Sequence, residues 1–424
     1  PKEVQLNSHV KLLWMSDVPN QTSRIDLFFD AGLRQDRNIT TSLCSSLLLS
    51  GTKEKTSTDI HNEIDVLGAY FDIGLSHEGV MVSIFALKSN IFEAFKLIYS
   101  AIQEAVFPEK EINEVVNEKR EKFKINLSRV GFLAQREFQQ KIFYKTPYKE
   151  LTELEDFDNF SRKNIVDFHE NNFKKGLSRI AVTGNLMEQE IKEIQELCTP
   201  NCITEKLMYY KDFCNKPGIF HVDKPNAVQS AIRIGKTMFN KNHKDFIEFS
   251  IMNTVFGDFF GSRLMKNIRE DKGYTYGARS FFYGDDIHGF YRAQAGVRAD
   301  TTADSIVQFR NEISAFQKQG LTVNELEFVK SAIGQRDARN YETPRQKLNF
   351  LSEIITYNLD KGFVDKQNKI LENVGIEELN GLATKHLKLD EMITVVVGDK
   401  AKVMDSLKPM FENIVELDEE GKPL

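Results

Sequence analysis

The stretch RIAVTGN, Arg179–Asn185, is a short apolar run that stops on a glycine, and the chain writes ITVVVGD at Ile393–Asp399. Both read as buried strands ended by a turn. Gly184 and Gly398 are 214 residues apart. A second pair of landmarks keeps the same offset. FPEKEINEVV at Phe107–Val116 aligns with GLTVNELEFV at Gly320–Val329, so that Glu111-Ile112 matches Glu325-Leu326. Two landmarks at one offset imply that the chain duplicates a single unit.

The order of elements repeats as well. In the first half, Arg24–Ala31 alternates as a strand and Ser42–Ser50 reads as a helix. A further helix starts at Thr56/Ser57 and stops at Gly68, with Asp59 in its first turn and Ile60, Ile64 and Leu67 on one face. Tyr70–Ser76 and Val80–Leu87 read as strands around His77-Glu78-Gly79. One helix carries Phe92, Phe95, Ile98 and Ile102, and Pro108 opens a long helical stretch towards Phe143. In the second half, Ala227–Gly235, Tyr274–Phe282, Gly289–Val297 and Ile393–Val397 read as strands. Helices are expected at Phe246–Phe260, on to about Asp271, over Thr302–Lys318, and after Thr322. The expected fold class is α+β: two tandem similar domains, each a mostly antiparallel sheet with helices packed on one face. Pro200 and Pro217 break the irregular stretch Thr199–Gly218. The domains are therefore placed at 1–199 and 217–424.

Composition narrows the function. The 424 residues are 41% hydrophobic and 28% charged, with 56 basic and 62 acidic side chains well mixed for a net charge of −6. No basic stripe interleaved with aromatics suggests a nucleic-acid footprint. No apolar run approaches the ~20 residues of a membrane span. PKEVQLNSHV at the start has no signal-peptide pattern, so a cytoplasmic location is expected, or a periplasmic one if a leader has been removed before Pro1. Cys44, Cys198, Cys202 and Cys214 include no C-x-x-C pair, and unpaired thiols are expected. The eight histidines never fall within four residues of one another. No helix therefore offers two imidazoles to a metal. His77-Glu78 and His169-Glu170 read as surface or turn pairs, and no phosphate-binding glycine loop or nucleophile elbow is present.

One helix is unusual. In TTSLCSSLLLSG, Thr40–Gly51, the polar positions Ser42, Ser45 and Ser46 follow the i, i+3, i+4 spacing of a single face.

The chain resembles the pitrilysin/insulinase family of zinc metallopeptidases, in its half-size bacterial form, and is similar to mitochondrial processing peptidase subunits. The resemblance covers nearly the whole chain. It rests on DAGLR at Asp30–Arg34, SGTKEKTS at Ser50–Ser57, LGAYFD at Leu67–Asp72, FPEKE at Phe107–Glu111 and YKTPY at Tyr144–Tyr148. The most specific block is FFGSRLMKNIREDKGYTYGA at Phe259–Ala278. In active members the helix before the G-T turn carries H-x-x-E-H. Counting back from Gly51-Thr52 puts those positions at Ser42, Ser45 and Ser46. Serine hydroxyls replace both metal-binding imidazoles and the carboxylate that activates water. The family's third ligand is a glutamate on the later long helix, where Glu114, Glu118 and Glu121 lie. No metal and no cofactor are expected in this chain, and zinc is expected in a partner.

The resemblance also implies an arginine and a tyrosine seven residues apart that serve substrate at an opposed subunit. Arg269 and Tyr276 match. Read without the resemblance, Arg269 bonds its own helix carbonyls and Tyr276 packs in a sheet. The implied function is a non-catalytic, substrate-binding subunit of a heterodimeric zinc metallopeptidase acting on extended peptides. Its partners would be a homologous zinc-bearing subunit and a peptide, with a homodimer possible in that subunit's absence, and with neither nucleic acid nor membrane. The alternatives are a structural protein or a peptide-binding protein on the same fold, without a role in proteolysis.

Overall fold

The computed structural model describes residues 2–16, 21–33, 35, 39–149, 151–204, 213–285, 287–340, 349, 351, 353–354, 357, 359–360 and 362–424. Arg34 of the DAGLR marker and 205–212 of the expected linker lie outside them.

Among the described residues, twelve strands form two six-stranded sheets. The first takes β1 (Lys2–Gln5), β2 (Lys11–Met15), β3 (Thr22–Phe29), β4 (Tyr70–Leu75), β5 (Val80–Leu87) and β6 (Leu177–Thr183), in the order β1-β2-β6-β3-β5-β4. The second takes β7 (Gly218–Asp223), β8 (Gln229–Met238), β9 (Thr275–Gly284), β10 (Gly289–Arg298), β11 (Ile393–Gly398) and β12 (Ile414–Leu417), in the order β12-β7-β11-β8-β10-β9. Most pairings are antiparallel. The parallel pairs are β2/β6 in the first sheet, and β7/β11 and β12/β7 in the second. The two α+β units thus share one strand order and differ at one edge, where the first uses β1 and the second uses β12.

Local details confirm the duplication. Glu111 and Glu325 are each the third residue of their helices, Glu109–Leu127 and Val323–Asn340. Gly184 and Gly398 each close on a serine of the neighbouring antiparallel strand. A Cβ on Gly184 would lie 2.0 Å from Ser23 Oγ, and one on Gly398 would lie 2.5 Å from Ser230 Oγ. Only glycine permits that approach. Thr56 and Asp59 form a capping box at Ser57–Val66, and Gly68 follows with φ 60°.

Two expectations need correction. The helix with the three serines spans Thr40–Ser46, not Ser42–Ser50. Leu47 N–H is shared between Leu43 O and Cys44 O, which tightens the last turn, and Leu47, Leu48 and Leu49 continue as a buried turn. The contiguous split at 199/217 is crossed by exchanged segments. One compact unit comprises Pro1–Lys124, Leu151–Met208 and Ala338–Leu359, and the other comprises Ile125–Glu150, Tyr209–Asp337 and Asp360–Leu424. The helical stretch from Pro108 breaks at Ser128-Arg129 into Glu109–Leu127 and Val130–Ile142. The second helix packs with the second sheet, where Leu133, Ala134, Phe138 and Ile142 join Phe220, Val222, Ile393, Val395 and Val397 in one buried cluster. The other face of that sheet, through Ile232, Ile234 and Val396, joins the main helical layer.

Polar contacts repeat the exchange in each unit. Arg292 donates to Gln135 Oε1 in the second unit, and Arg24 Nη1 donates to Asn349 Oδ1 at 3.1 Å in the first. Gln135 and Asn349 are again 214 residues apart.

Phe138 is 1% exposed, and its ring seats against Gly235, where a Cβ would meet its Cζ at 2.9 Å. Phe138→Ala should cost about 3–5 kcal/mol. Amide exchange should show the loss in β8 and β11, and unchanged protection there would refute the placement of this helix.

Glu325 takes a two-pronged grip from Arg263, with Nε to Oε1 and Nη2 to Oε2 both 2.7 Å. Burial opposes its ionisation, yet the Arg263 fork and the Thr322 backbone hold the carboxyl at about 2. A depressed carboxylate contributes stability that is complete above its unfolded pKa of about 4.3 and is lost as pH falls towards the folded value. In acid titrations followed by denaturant unfolding, Glu325→Gln should lose stability at neutral pH and flatten the decline between about pH 4 and 2.

Candidate functional site

The serine helix Thr40–Ser46 holds Ser42, Ser45 and Ser46 in different environments. Ser45 is buried, and its Oγ donates to Thr41 O at 2.7 Å. Ser46 is exposed. Ser42 Oγ accepts from Lys119 Nζ at 3.0 Å. Lys119 comes from the long helix Glu109–Leu127, whose buried positions are Ile112 and Val116. Continuing that stripe by three residues reaches Lys119, which is why it faces inward.

The three glutamates of that helix do not face the serines. Glu114, Glu118 and Glu121 are exposed and pair along their own helix with Lys110 at 3.9 Å, with Lys122, and with Lys124 at 2.9 Å. The expectation of a carboxylate facing the serine helix is thereby overturned. Burial pushes the Lys119 ammonium below the ordinary lysine range, Glu118 partly restores it, and Lys122 adds repulsion.

These residues do not fit zinc. Neutral hydroxyls are poor ligands, and an ammonium repels a dication. Among the described residues no group of three or more His, Cys, Asp or Glu side chains is placed to hold a metal ion. His169 is buried rather than on the surface, and its Nε2 lies 2.6 Å from Ile102 O between the rings of Phe107 and Phe173. All four cysteines are free.

Arg269 and Tyr276 flank one turn in the second unit. Arg269 lies in a π-helical turn, Met265–Asp271, with its guanidinium carbon 4.4 Å from the centre of the Phe260 ring. Gly273, at φ 66°, returns its N–H to Arg269 O at 3.1 Å and ends the helix. Tyr276 stands two residues into β9 and is 94% exposed. It is not packed in the sheet. Ala278 opposes Ala295 and Thr275 opposes Val297, so Tyr276 and Gly277 face the single residue Gly296. This bulge turns the tyrosine out of the alternation. Thr275 fixes it by donating from Oγ1 to Gly296 O at 2.6 Å, and Ala278 N–H donates to Met265 Sδ at 3.3 Å. The strand after the bulge is thus tied to the helix that carries Arg269.

The profile described as insulinase (peptidase family M16) matches residues 11–145, and the one described as peptidase M16 inactive domain matches 159–333. The chain belongs to the insulinase (M16) peptidase family. This M16 chain is 21% identical over 370 residues to the non-peptidase homolog YmxG of Helicobacter pylori, covering 85% of this chain and 84% of that one. It is 25% identical over 181 residues to the mitochondrial-processing peptidase subunit beta of Rattus norvegicus, covering 41% and 36%. A crystal structure of a peptidase M16 inactive domain from Pseudomonas fluorescens superposes with a TM-score of 0.84 at 21% identity, covering 92% of this chain and 95% of that one. Among the described residues, no helix of the M16 chain is long and apolar enough to cross a membrane.

The resemblance, which implies a glutamate on this helix, does not point to Lys119. The Ile112/Val116 stripe carries the signal that finds it. Restoring Ser42→His, Ser45→Glu and Ser46→His should leave the protein without stoichiometric zinc while Lys119 remains. Adding Lys119→Glu should bring retention to about one zinc per chain after dialysis. Full occupancy in the triple variant by elemental analysis would show that Lys119 is no barrier.

Proposed function

We propose that this M16 chain is the non-catalytic, substrate-binding subunit of a two-chain zinc peptidase that acts on extended peptides. The observation that carries the reading is a contrast within one chain. The helix where the resemblance places the metal motif holds serines against an ammonium, while a built turn presents Tyr276 fully to solvent and Arg269 half-buried against Phe260. A homologous subunit with an intact H-x-x-E-H helix would supply the zinc. Here Arg269 offers a planar fork and Tyr276 a hydroxyl, both donors suited to a peptide carbonyl on which negative charge develops. The ring of Phe260 holds the guanidinium plane, which limits the freedom lost when substrate binds.

The test is reconstitution with a zinc-bearing sister chain, with assembly and peptide hydrolysis measured separately. Removing one such donor costs about 10²–10³ in rate where it contacts developing charge. Tyr276→Phe should assemble normally and lose turnover to that extent. Arg269→Lys retains charge but loses the fork, and it should also be impaired. Wild-type turnover in both assembled variants would reject the role. Failure to assemble would assign the pair to subunit structure instead.

A further inference from the structure

Beside Tyr276 the second unit contains a cleft of about 910 Å³. Its rim is formed by Val228 and Gln229 at the start of β8, the Gly273–Tyr276 turn, Gly296 and Arg298 of β10, Asp300, and Lys402 of the helix Lys400–Leu407. Three features distinguish it from an ordinary surface hollow.

First, two large apolar side chains are uncovered there, Val228 at 81% and Tyr276 at 94% exposure. Leaving both in water is unfavourable, and a ligand that covered them would recover about 25 cal/mol per Å² of apolar surface. Second, part of the rim is bare backbone. A Cβ on Gly296 would meet nothing within 4 Å, and Gly296 is not in the left-handed region. The missing side chain therefore reflects neither crowding nor strain, and it leaves room for another backbone to approach. Third, the charge is unbalanced. Of the charged side chains lining the cleft, Arg298 and Lys402 are cationic and Asp300 is anionic.

Both cations are loosely held. Arg298 Nε reaches Asp300 at 3.2 Å and its Nη1 reaches Gly273 O at 3.4 Å. Lys402 Nζ donates to Ala227 O at 2.9 Å and lies 3.2 Å from Asp399. Arg298 is 57% exposed and Lys402 46%. The Arg298–Asp300 pair is open on both sides and contributes little, and the Lys402 ammonium is itself half-exposed beside a more covered Asp399, so an incoming carboxylate can reach both cations.

We propose that this cleft is a peptide subsite that takes an acidic residue of an extended substrate, with its carboxylate met by Arg298 and Lys402 and its apolar neighbour laid on Val228 and Tyr276. The inference deepens the function proposed above and rests on it for the use of Tyr276. It adds a substrate class: peptides with an acidic residue beside an apolar one.

The experiment measures fluorescence anisotropy of the full chain with a labelled extended peptide containing a Leu-Glu pair, and with the same peptide carrying Leu-Lys. The glutamate peptide should bind about tenfold more tightly, since one good charge contact is on the order of 1.4 kcal/mol. Gly296→Phe has open space for its Cβ, so its ring can occupy the cleft and should weaken binding about tenfold. The double variant Arg298→Glu/Lys402→Glu should reverse the preference, and it decides the matter if thermal melting shows Gly296→Phe to be unfolded. Equal binding of the two peptides, absence of binding, or an unchanged preference in the double variant would overturn the subsite. Cleavage by the reconstituted complex separates the two ideas. Dependence on Tyr276 with an unchanged preference in the double variant rejects the subsite alone. Wild-type cleavage by Tyr276→Phe with the preference intact rejects the role at zinc alone.

Discussion

A strand that is apolar on both faces must be covered twice. Ile393–Gly398 is buried at every position, and its side chains divide between two clusters, Val396 to the main helical layer and Ile393, Val395 and Val397 to the other face. The helix that covers this second face comes from the first half of the chain, Val130–Ile142. The first unit answers with Ala338–Leu359 from the second half. Neither half of the sequence therefore contains its own complete unit. The exchange is anchored by polar contacts to corresponding acceptors, Arg292 to Gln135 and Arg24 to Asn349, beneath apolar packing such as Phe138 on Gly235. A buried guanidinium must find an acceptor, so these contacts fix the register of the borrowed segments as well as their burial.

The same frame gave the two units freedom to diverge in chemistry. In the first, the helix Glu109–Leu127 aims one inward position at the serine helix, and that position holds Lys119. Where the resemblance implies a metal site, this chain carries its own fixed positive charge. The fold tolerates this because Ser42 accepts a hydrogen bond from the ammonium and Ser45 closes on its own helix. In the second unit the π-helical turn, Gly273 and the bulge opposite Gly296 set Arg269 against Phe260 and turn Tyr276 outward. None of these three features is needed to bury core, and each spends regular backbone geometry on the direction of a side chain.

Much of the fold was legible in the sequence because periodicity and turn chemistry agree there. Thr56, Asp59 and Gly68 bound a helix as capping rules require. The constant offset between Glu111 and Glu325, and between Gly184 and Gly398, marked the duplication through two kinds of position that physics restricts, a first-turn acid and a glycine in close contact. The exchange was not legible. Val130–Ile142 has an apolar face, but a face does not say which sheet it covers, and the break at Ser128-Arg129 is marked by neither glycine nor proline. Short edge strands such as Lys2–Gln5 and Ile414–Leu417 were also missed, since four residues carry too little alternation to read. At the candidate site, the three serines and the Arg269/Tyr276 pair could be named from spacing and resemblance. The environment of Tyr276 could not, because a bulge overrides the two-residue alternation that would place it in the sheet.

That override explains why the second unit can offer a site at all. β9 is the edge strand of its sheet, and an edge strand in regular alternation would turn half its side chains to the core and leave its backbone open to unwanted pairing. The bulge at Tyr276 and Gly277 disturbs that edge at one end. It blunts the strand against nonspecific pairing and places a phenol where the sheet would otherwise place buried carbon. Met265 then joins the strand to the turn bearing Arg269, through the Ala278 N–H. Edge protection and side-chain presentation are therefore achieved by one local distortion. The serine helix can vary without loss of this device, because the distortion is held by Thr275, Gly296 and Met265, none of which belongs to that helix.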